Sequence, residues 1–211
     1  MKARPLLVTD CDEVLLHMLG HFADWLDEAH AIDFDVASGR WPEAFTRRAD
    51  GGKLDIEEAW PLLDAFFVGE MHRQTLVPGA ADALGRIAEV ADIVVLTNLR
   101  DHHHAGRVDQ LARHGIAHRV VCNQGGKGRP LARLVEAMAP GVTVFVDDLA
   151  NHHESVARAR PDTWRLHMIA EPRLAANQPA APHAHARIDD WPAAADWILA
   201  RMAEGAPAPE A

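Results

Sequence analysis

The sequence is poor in the features that would place it at a membrane, in an oxidising compartment or on nucleic acid. Its 211 residues include only two cysteines, Cys11 and Cys122. Both lie in strand-like runs, where a thiol serves as a small buried hydrophobe, and they point to a reducing intracellular compartment. No apolar run is long enough to span a bilayer, and Met1-Lys2-Ala3-Arg4-Pro5 leads into the first strand without a signal-type segment. Positive charge is also scarce, with 21 Lys and Arg against 31 Asp and Glu, a formal net charge of −10. That balance argues against a nucleic-acid backbone as the main partner. It leaves an anionic small molecule open, because the local potential of a cleft matters more than the total. These absences predict a soluble, cytoplasmic protein with no nucleic-acid or membrane partner. No internal repeat is present, and oligomeric state is not legible.

What is present is ordinary globular material, 48% hydrophobic and 25% charged. The length allows one sizeable core, or a core domain with a smaller companion. The chain is organised around Leu6-Leu7-Val8-Thr9-Asp10-Cys11-Asp12-Glu13-Val14-Leu15. An apolar, β-prone run ends there in two aspartates separated by one residue. Strand side chains alternate faces, so Asp10 and Asp12 can both reach one site at the carboxyl end of a strand. Two close carboxylates repel unless a cation or a shared proton relieves them, and a hard divalent ion such as Mg²⁺ takes oxygen ligands. A capped turn uses the same residue types, so the pair alone does not decide.

Two further strand-like runs end at polar residues. Ile93–Leu96 stops at Thr97-Asn98, and Val142–Val146 stops at Asp147-Asp148. Between them Lys127 sits in the glycine-rich loop Gly125-Gly126-Lys127-Gly128. That loop lacks the spacing and the Ser/Thr of a phosphate-binding P-loop. An aspartate pair, a threonine, a lysine and a second aspartate pair, in that order, resemble the four motifs of the haloacid dehalogenase (HAD) superfamily of phosphohydrolases. The resemblance covers roughly residues 5–160, interrupted by one insertion.

The resemblance implies a Mg²⁺-dependent phosphohydrolase that acts on a small phosphorylated metabolite through an aspartyl-phosphate. It makes Asp10 the nucleophile and Asp12 the general acid and base, with the Asp12 backbone carbonyl also on the metal. Thr97 and Asn98 would bind the transferring phosphoryl oxygens, and Lys127 would neutralise the phosphoryl group and the nucleophile. Asp147-Asp148 would complete the metal site; adjacent strand residues face opposite sides, so one of the two is favoured as the direct ligand unless the strand ends there. Resemblance favours Asp148, with Asp147 binding through water or orienting Lys127; the reverse order stays open. The expected arrangement places Asp10, Asp12 and Asp148 around one cleft, with Thr97 and Lys127 at its rim. Glu13 stands where the family often has glycine, which alters the turn and the surface facing the substrate. His152 stands where Asn or Asp is common. Rival readings are a phosphomutase with the same motifs, a dehalogenase, which does not normally keep the second aspartate, and a non-catalytic binding or regulatory protein.

The remaining pattern predicts α/β architecture: a doubly wound, mainly parallel sheet with a small helical cap. Residues 1–14 and 77–211 are assigned to the core and 15–76 to the cap. Leu15, Leu16, Met18, Leu19, Phe22, Trp25 and Leu26 share one helical face running to about His30, and a second amphipathic helix begins near Asp55. Asp33 to Asp50 reads as irregular. Helices are expected at about Ala80–Glu89, residues 104–114, Pro130–Met138 and Trp191–Met202. Further strands are expected at Arg119–Cys122 and Arg165–Ile169, with loop from Pro172 to Ala186. Arg40, Trp41, Arg47 and Arg48 are candidate substrate contacts in the cap. The clusters His102-His103-His104, His152-His153 and His183-x-His185 lack zinc-motif spacing and read as surface or helix-start histidines.

Overall fold

The structure, a computed structural model, describes residues 3–209. From the amino terminus the chain forms β1 (Leu6–Thr9), β2 (Leu16–His17), α1 (Leu19–His30), β3 (Ile32–Phe34), α2 (Trp41–Ala44), β4 (Phe45–Arg47) and α3 (Ile56–Gly69). A 3-10 turn at Met71–Arg73 leads to β5 (Thr75–Leu76), α4 (Ala80–Ala88), β6 (Asp92–Thr97), α5 (His104–Arg113) and β7 (Arg119–Cys122). The rest is α6 (Gly128–Met138), β8 (Thr143–Asp147), α7 (Ala150–Ala159), β9 (Trp164–His167), α8 (Pro172–Ala175), β10 (Ala186–Arg187) and α9 (Trp191–Glu204).

Six of these strands make one parallel sheet in the order β10-β9-β8-β1-β6-β7. Strand β1 is central, with Val8 opposite Val94 on one side and Phe145 on the other. Every residue of β1 and β8 is buried, as a parallel sheet covered on both faces requires. Helices α4 and α9 cover one face through Leu84, Trp191 and Ile198. Helices α6 and α7 cover the other through Leu131, Val135 and Val156. Successive connections leave β1 toward β6 on one side and return to β8 on the other. The carboxyl ends of β1, β6 and β8 therefore meet at the switch point where open α/β sheets bind ligands. Among the described residues, no helix is long and apolar enough to cross a membrane.

The segment between β1 and α4 builds a second apolar cluster. Phe22, Trp25, Leu26, Phe45 and Phe66 form its centre, and it continues onto Leu99, Ile169 and Leu174 of the sheet side. Phe22 meets Phe66 edge-on with ring centroids 5.4 Å apart, and Phe34 lies 4.8 Å from Phe45. Both chain crossings into this segment are paired with each other, because β2 and β5 are antiparallel with Leu16 opposite Leu76.

The structure departs from the sequence expectation in four places. Residues 33–50 are not irregular: β3 and β4 pair antiparallel, with Phe34 opposite Phe45, around the short helix α2. Three-residue strands are too short to display a period of two. The helix expected from Leu15 begins at Leu19, because Leu15 and Leu16 bond back to the Cys11 carbonyl in a tight turn. Helix α7 carried no apolar signal, since His152 and His153 share its buried face with Val156. Part of the stretch 172–186 is ordered as α8 and the edge strand β10.

Two glycines separate packing from propensity. A Cβ on Gly128 would lie 2.7 Å from the Ser155 carbonyl carbon and 2.9 Å from Ala159 Cβ, so its absence sets how closely α6 approaches α7. A Cβ on Gly85, inside α4, would meet nothing within 4 Å. Gly85→Ala should therefore stabilise the protein by about 0.5–1 kcal/mol, from helix propensity alone. Gly128→Ala should destabilise it by about 1–3 kcal/mol through overpacking. Urea unfolding of both variants measures this, and equal shifts would contradict the packing assignment.

Candidate active site

The tight turn after β1 sets the geometry. Asp10 closes the strand with its N–H on the Val146 carbonyl at 2.9 Å, and its Oδ1 accepts the Cys11 N–H at 2.6 Å. Glu13 adopts a left-handed backbone, φ 58°, a conformation that glycine enters at no steric cost. Its side chain accounts for its presence there. Glu13 Oε1 accepts the Met18 and Leu19 N–H groups at 2.7 and 2.6 Å and so caps α1. Glu13 Oε2 is buried without a partner among the described residues. Burial, opposed by those two N–H groups, pushes the carboxyl up to about 7.

Lys127, at the start of α6, is completely buried. Its Nζ lies 2.7 Å from Asp10 Oδ2 and 2.7 Å from Asp147 Oδ2. Burial disfavours the ammonium, but the two carboxylates outweigh it and hold its pKa above the ordinary value. Asp147 is fully engaged. Besides Lys127, it accepts the Leu149 N–H and the His152 Nδ1–H, both at 2.9 Å. Burial opposes its charge, yet Lys127 and His152 hold it below the usual carboxylate range. Asp10 shares the lysine with fewer partners, and burial raises it to about 6 against the pull of Lys127.

Asp148, next on the strand end, receives no side-chain hydrogen bond among the described residues. Burial, Asp147 and Asp10 together push it well above the ordinary carboxylate value. Its backbone is fixed instead, because His167 Nε2 donates to the Asp148 carbonyl at 2.8 Å. His153 Nε2 does the same for the Asp147 carbonyl at 3.0 Å. Burial depresses the pKa values of His153, to about 4, and of His167. These histidines and His152 are buried struts rather than surface residues.

Thr97 is fully buried at the end of β6, and its Oγ1 has no partner among the described residues. The Asn98 amide donates to the Gly125 carbonyl at 2.9 Å and lies 3.2 Å from His152 Nε2. That contact, with His152 Nδ1 on Asp147, assigns the Nδ1–H tautomer by network.

Asp10, Asp12, Glu13, Asn98 and Asp148 line one cavity of about 620 Å³ between the sheet edge and the segment 16–76. Lys127 and Thr97 are fully buried and do not line it, so neither sits at its rim. Of the four candidate substrate contacts between 40 and 48, Arg40 and Trp41 line the cavity. Arg47 pairs with Glu58, and Arg48 with Asp27 and Asp33.

The residues missed from sequence hold Asp12. Arg107, completely buried in α5, reaches Asp12 Oδ1 and Oδ2 at 2.9 and 3.0 Å. Gln74 Nε2 donates to Oδ1 at 2.6 Å. Arg107 also meets Cys11 Sγ at 2.9 Å and lies over the Phe67 ring of α3. Burial disfavours its charge, but Asp12 holds its pKa above the ordinary value. The only sequence signal was an arginine on an otherwise polar helix.

The donor set suits a hard dication. Among the described residues the Asp148 carboxylate has no hydrogen-bond partner, and the charge of Asp10 disfavours its ionised form; an oxygen-seeking cation relieves such a pair of carboxylates. Asp10, Asp147 and His152 also offer atoms within 4.8 Å of one another, but the last two already bond each other.

No protein-family model and no curated protein matches the sequence. Solved structures do match. A haloacid dehalogenase-like family hydrolase from Xanthomonas campestris shares 15% identity, with a TM-score of 0.60 over 97% of this chain and 99% of that one. A Bacillus subtilis protein described as a HAD-hydrolase bound to magnesium gives a TM-score of 0.65 at 15% identity, covering 94% and 99% of the two chains. A Lactobacillus plantarum protein named as a phosphoglycolate phosphatase gives 0.63 at 13% identity, covering 93% and 99%. The chain has the haloacid dehalogenase-like fold. In that fold the four sequence motifs map onto the ends of β1, β6 and β8 and the start of α6.

Removing Arg107 would leave Asp12 uncompensated in a poorly solvated site. Arg107→Met should cost about 3 kcal/mol, and Asp12→Asn in the same chain should recover part of that loss. A double-mutant cycle by urea unfolding reads the coupling; additive losses would dissolve the pair.

Proposed function

We propose that this protein is a Mg²⁺-dependent phosphohydrolase that cleaves a small phosphorylated molecule through an aspartyl-phosphate on Asp10. The observation that carries this reading is the buried Lys127, shared at 2.7 Å by Asp10 and Asp147. A lysine so placed neutralises a nucleophilic carboxylate and an incoming phosphoryl group without reaching into solvent. The unpartnered Thr97 Oγ1 lies at the adjacent strand end, where a phosphoryl oxygen would give it a bond. The Bacillus subtilis hydrolase is described with bound magnesium and interdomain movement. By that analogy, residues 15–76 serve as a cap over residues 1–14 and 77–211.

Asp10, Asp148 and the Asp12 carbonyl would hold the ion. Bound there, Mg²⁺ would offset the charge of the phosphoryl oxygens and of the two carboxylates. Asp10 Oδ attacks phosphorus and the bond from phosphorus to the ester oxygen breaks. Asp12, protonated for this step, gives its proton to the leaving alkoxide. Water then attacks phosphorus, its proton passes to Asp12, and phosphate leaves Asp10 as a free carboxylate. Arg107 engages both Asp12 oxygens and Gln74 one of them. The acid role requires the carboxyl to leave that pair and turn into the cavity.

Phosphate release from a panel of phosphomonoesters, with and without Mg²⁺, tests the reading. Asp10→Asn should abolish release. Asp12→Asn should lower kcat by about 10²–10⁴-fold while calorimetry still shows Mg²⁺ binding, because the backbone carbonyl remains. Near-normal turnover by Asp12→Asn would remove it from the mechanism, and release without Asp10 would overturn the reading.

A further inference from the structure

The cavity above Asp10 and Asp148 is far from uniformly polar. Its walls include Phe34, Trp41, Trp60, Leu63, Leu99 and Ile169, brought together from β3, α2, α3 and the loops after β6 and β9. Phe34, Trp41 and Leu63 pack against the aromatic cluster of the segment 16–76 yet keep part of their surface open. Trp60 is 49% exposed and stacks on Trp41, with centroids 5.6 Å apart and planes 20° apart. Leu149, another exposed large hydrophobic residue, lines the same cavity. Open apolar surface gathered in one concave place marks a ligand site.

Polar recognition is sparse by comparison. Beyond the four-motif residues, Glu13 and the histidines, the charged side chains lining the cavity are Asp35 and Arg40. The Arg40 side chain is 73% exposed and lies 3.5 Å from Glu43, while Asp35 accepts the Ala37 N–H. A second acidic group on the substrate would therefore find no buried cation among the described lining residues. Several polar side chains are already committed. Ser38 Oγ donates to the Asp35 carbonyl, Asn98 to Gly125, Gln124 to Asn123, and both His167 nitrogens are bonded. Asn151 and Gln178 also line the cavity, but a hydroxyl buried against the ring faces away from them would lack a partner, at a cost of about 1–3 kcal/mol. The volume of about 620 Å³ is on the scale of sites for drug-sized molecules.

We propose that the substrate is a phosphomonoester whose alcohol half is a flat, apolar ring system seated against Trp41, Trp60, Phe34 and Leu63. This rests on the phosphohydrolase reading and adds the class of leaving group. The phosphoryl end lies at Asp10 and Asp148, and the ring occupies the space under the segment 16–76.

The test compares 2-naphthylmethyl phosphate with glycerol 2-phosphate and glucose 6-phosphate. All are alkyl esters, so the leaving alcohol does not bias the rates as an aryl ester would. With Mg²⁺, kcat/KM for the naphthylmethyl ester should exceed the others by at least about tenfold, the ratio that 1.4 kcal/mol of differential binding gives. Trp60→Ala, at a half-exposed position, should shrink that ratio at least about threefold through KM, with Trp60→Phe restoring it. Equal or better use of glycerol 2-phosphate or glucose 6-phosphate would overturn the ring assignment while the phosphohydrolase reading stands. Release from none of the three esters would count against the phosphohydrolase reading itself. Binding to the Asp10→Asn protein, followed by tryptophan fluorescence, then judges the ring site separately. Tighter binding of the naphthylmethyl ester supports it, and equal or absent binding overturns it.

Discussion

One ammonium group between two buried carboxylates is the constraint on which the rest of the site depends. Lys127 has no contact with water, so its charge persists only because Asp10 and Asp147 each lie 2.7 Å away. The sharing is unequal. Asp147 adds the Leu149 N–H and His152, and is the better stabilised anion. Asp10 adds only the Cys11 N–H, and burial holds its carboxyl at about 6. The carboxylate that is less well satisfied is the one that faces the cavity. Perturbed groups of this kind cluster at functional sites. The sheet produces the asymmetry, because β8 ends at Asp147 against helix α7, whereas β1 ends at the open switch point.

A second ion pair lies at the same strand end, and the segment 16–76 joins it. Arg107 holds Asp12 from helix α5, and Gln74, on the returning crossing of the segment, shares one of its oxygens. Phe67 of α3 lies under the same guanidinium. Glu13, the next residue, caps α1 with its carboxylate. The turn that presents Asp10 is thus bonded to the first helix of the segment and to its last residues. Any displacement of the segment must alter the surroundings of Asp12, which is where proton transfer is proposed.

Strands β1, β6 and β8 were legible because continuous apolar runs ending in Asp, Thr or Asp express both burial and the strand terminus. Lys127 was legible from its order in the chain, although nothing local distinguished it from a solvated lysine. Arg107 was not, since a buried arginine on a polar helix carries no periodic mark and its partner lies 95 residues away. His152 and His153 were obscured for a related reason. Their buried faces are polar and bond the Asp147 side chain and carbonyl, so hydrophobic patterning reads them as surface. Glu13 was legible as a departure from glycine, but its capping role depends on a left-handed turn visible only in three dimensions. The hairpin of β3 and β4 escaped because each strand spans three residues.

The central claim is that phosphorus, not the Asp10 carbonyl carbon, is where water attacks. Attack at phosphorus leaves both original carboxylate oxygens on Asp10, whereas hydrolysis of a carbon ester at the acyl carbon installs a solvent oxygen there. Turnover in heavy-oxygen water, followed by mass spectrometry of the peptide containing Asp10, separates the two routes. Label in the released phosphate with none in Asp10 is the expected result. Turnover-dependent label in Asp10 would contradict it.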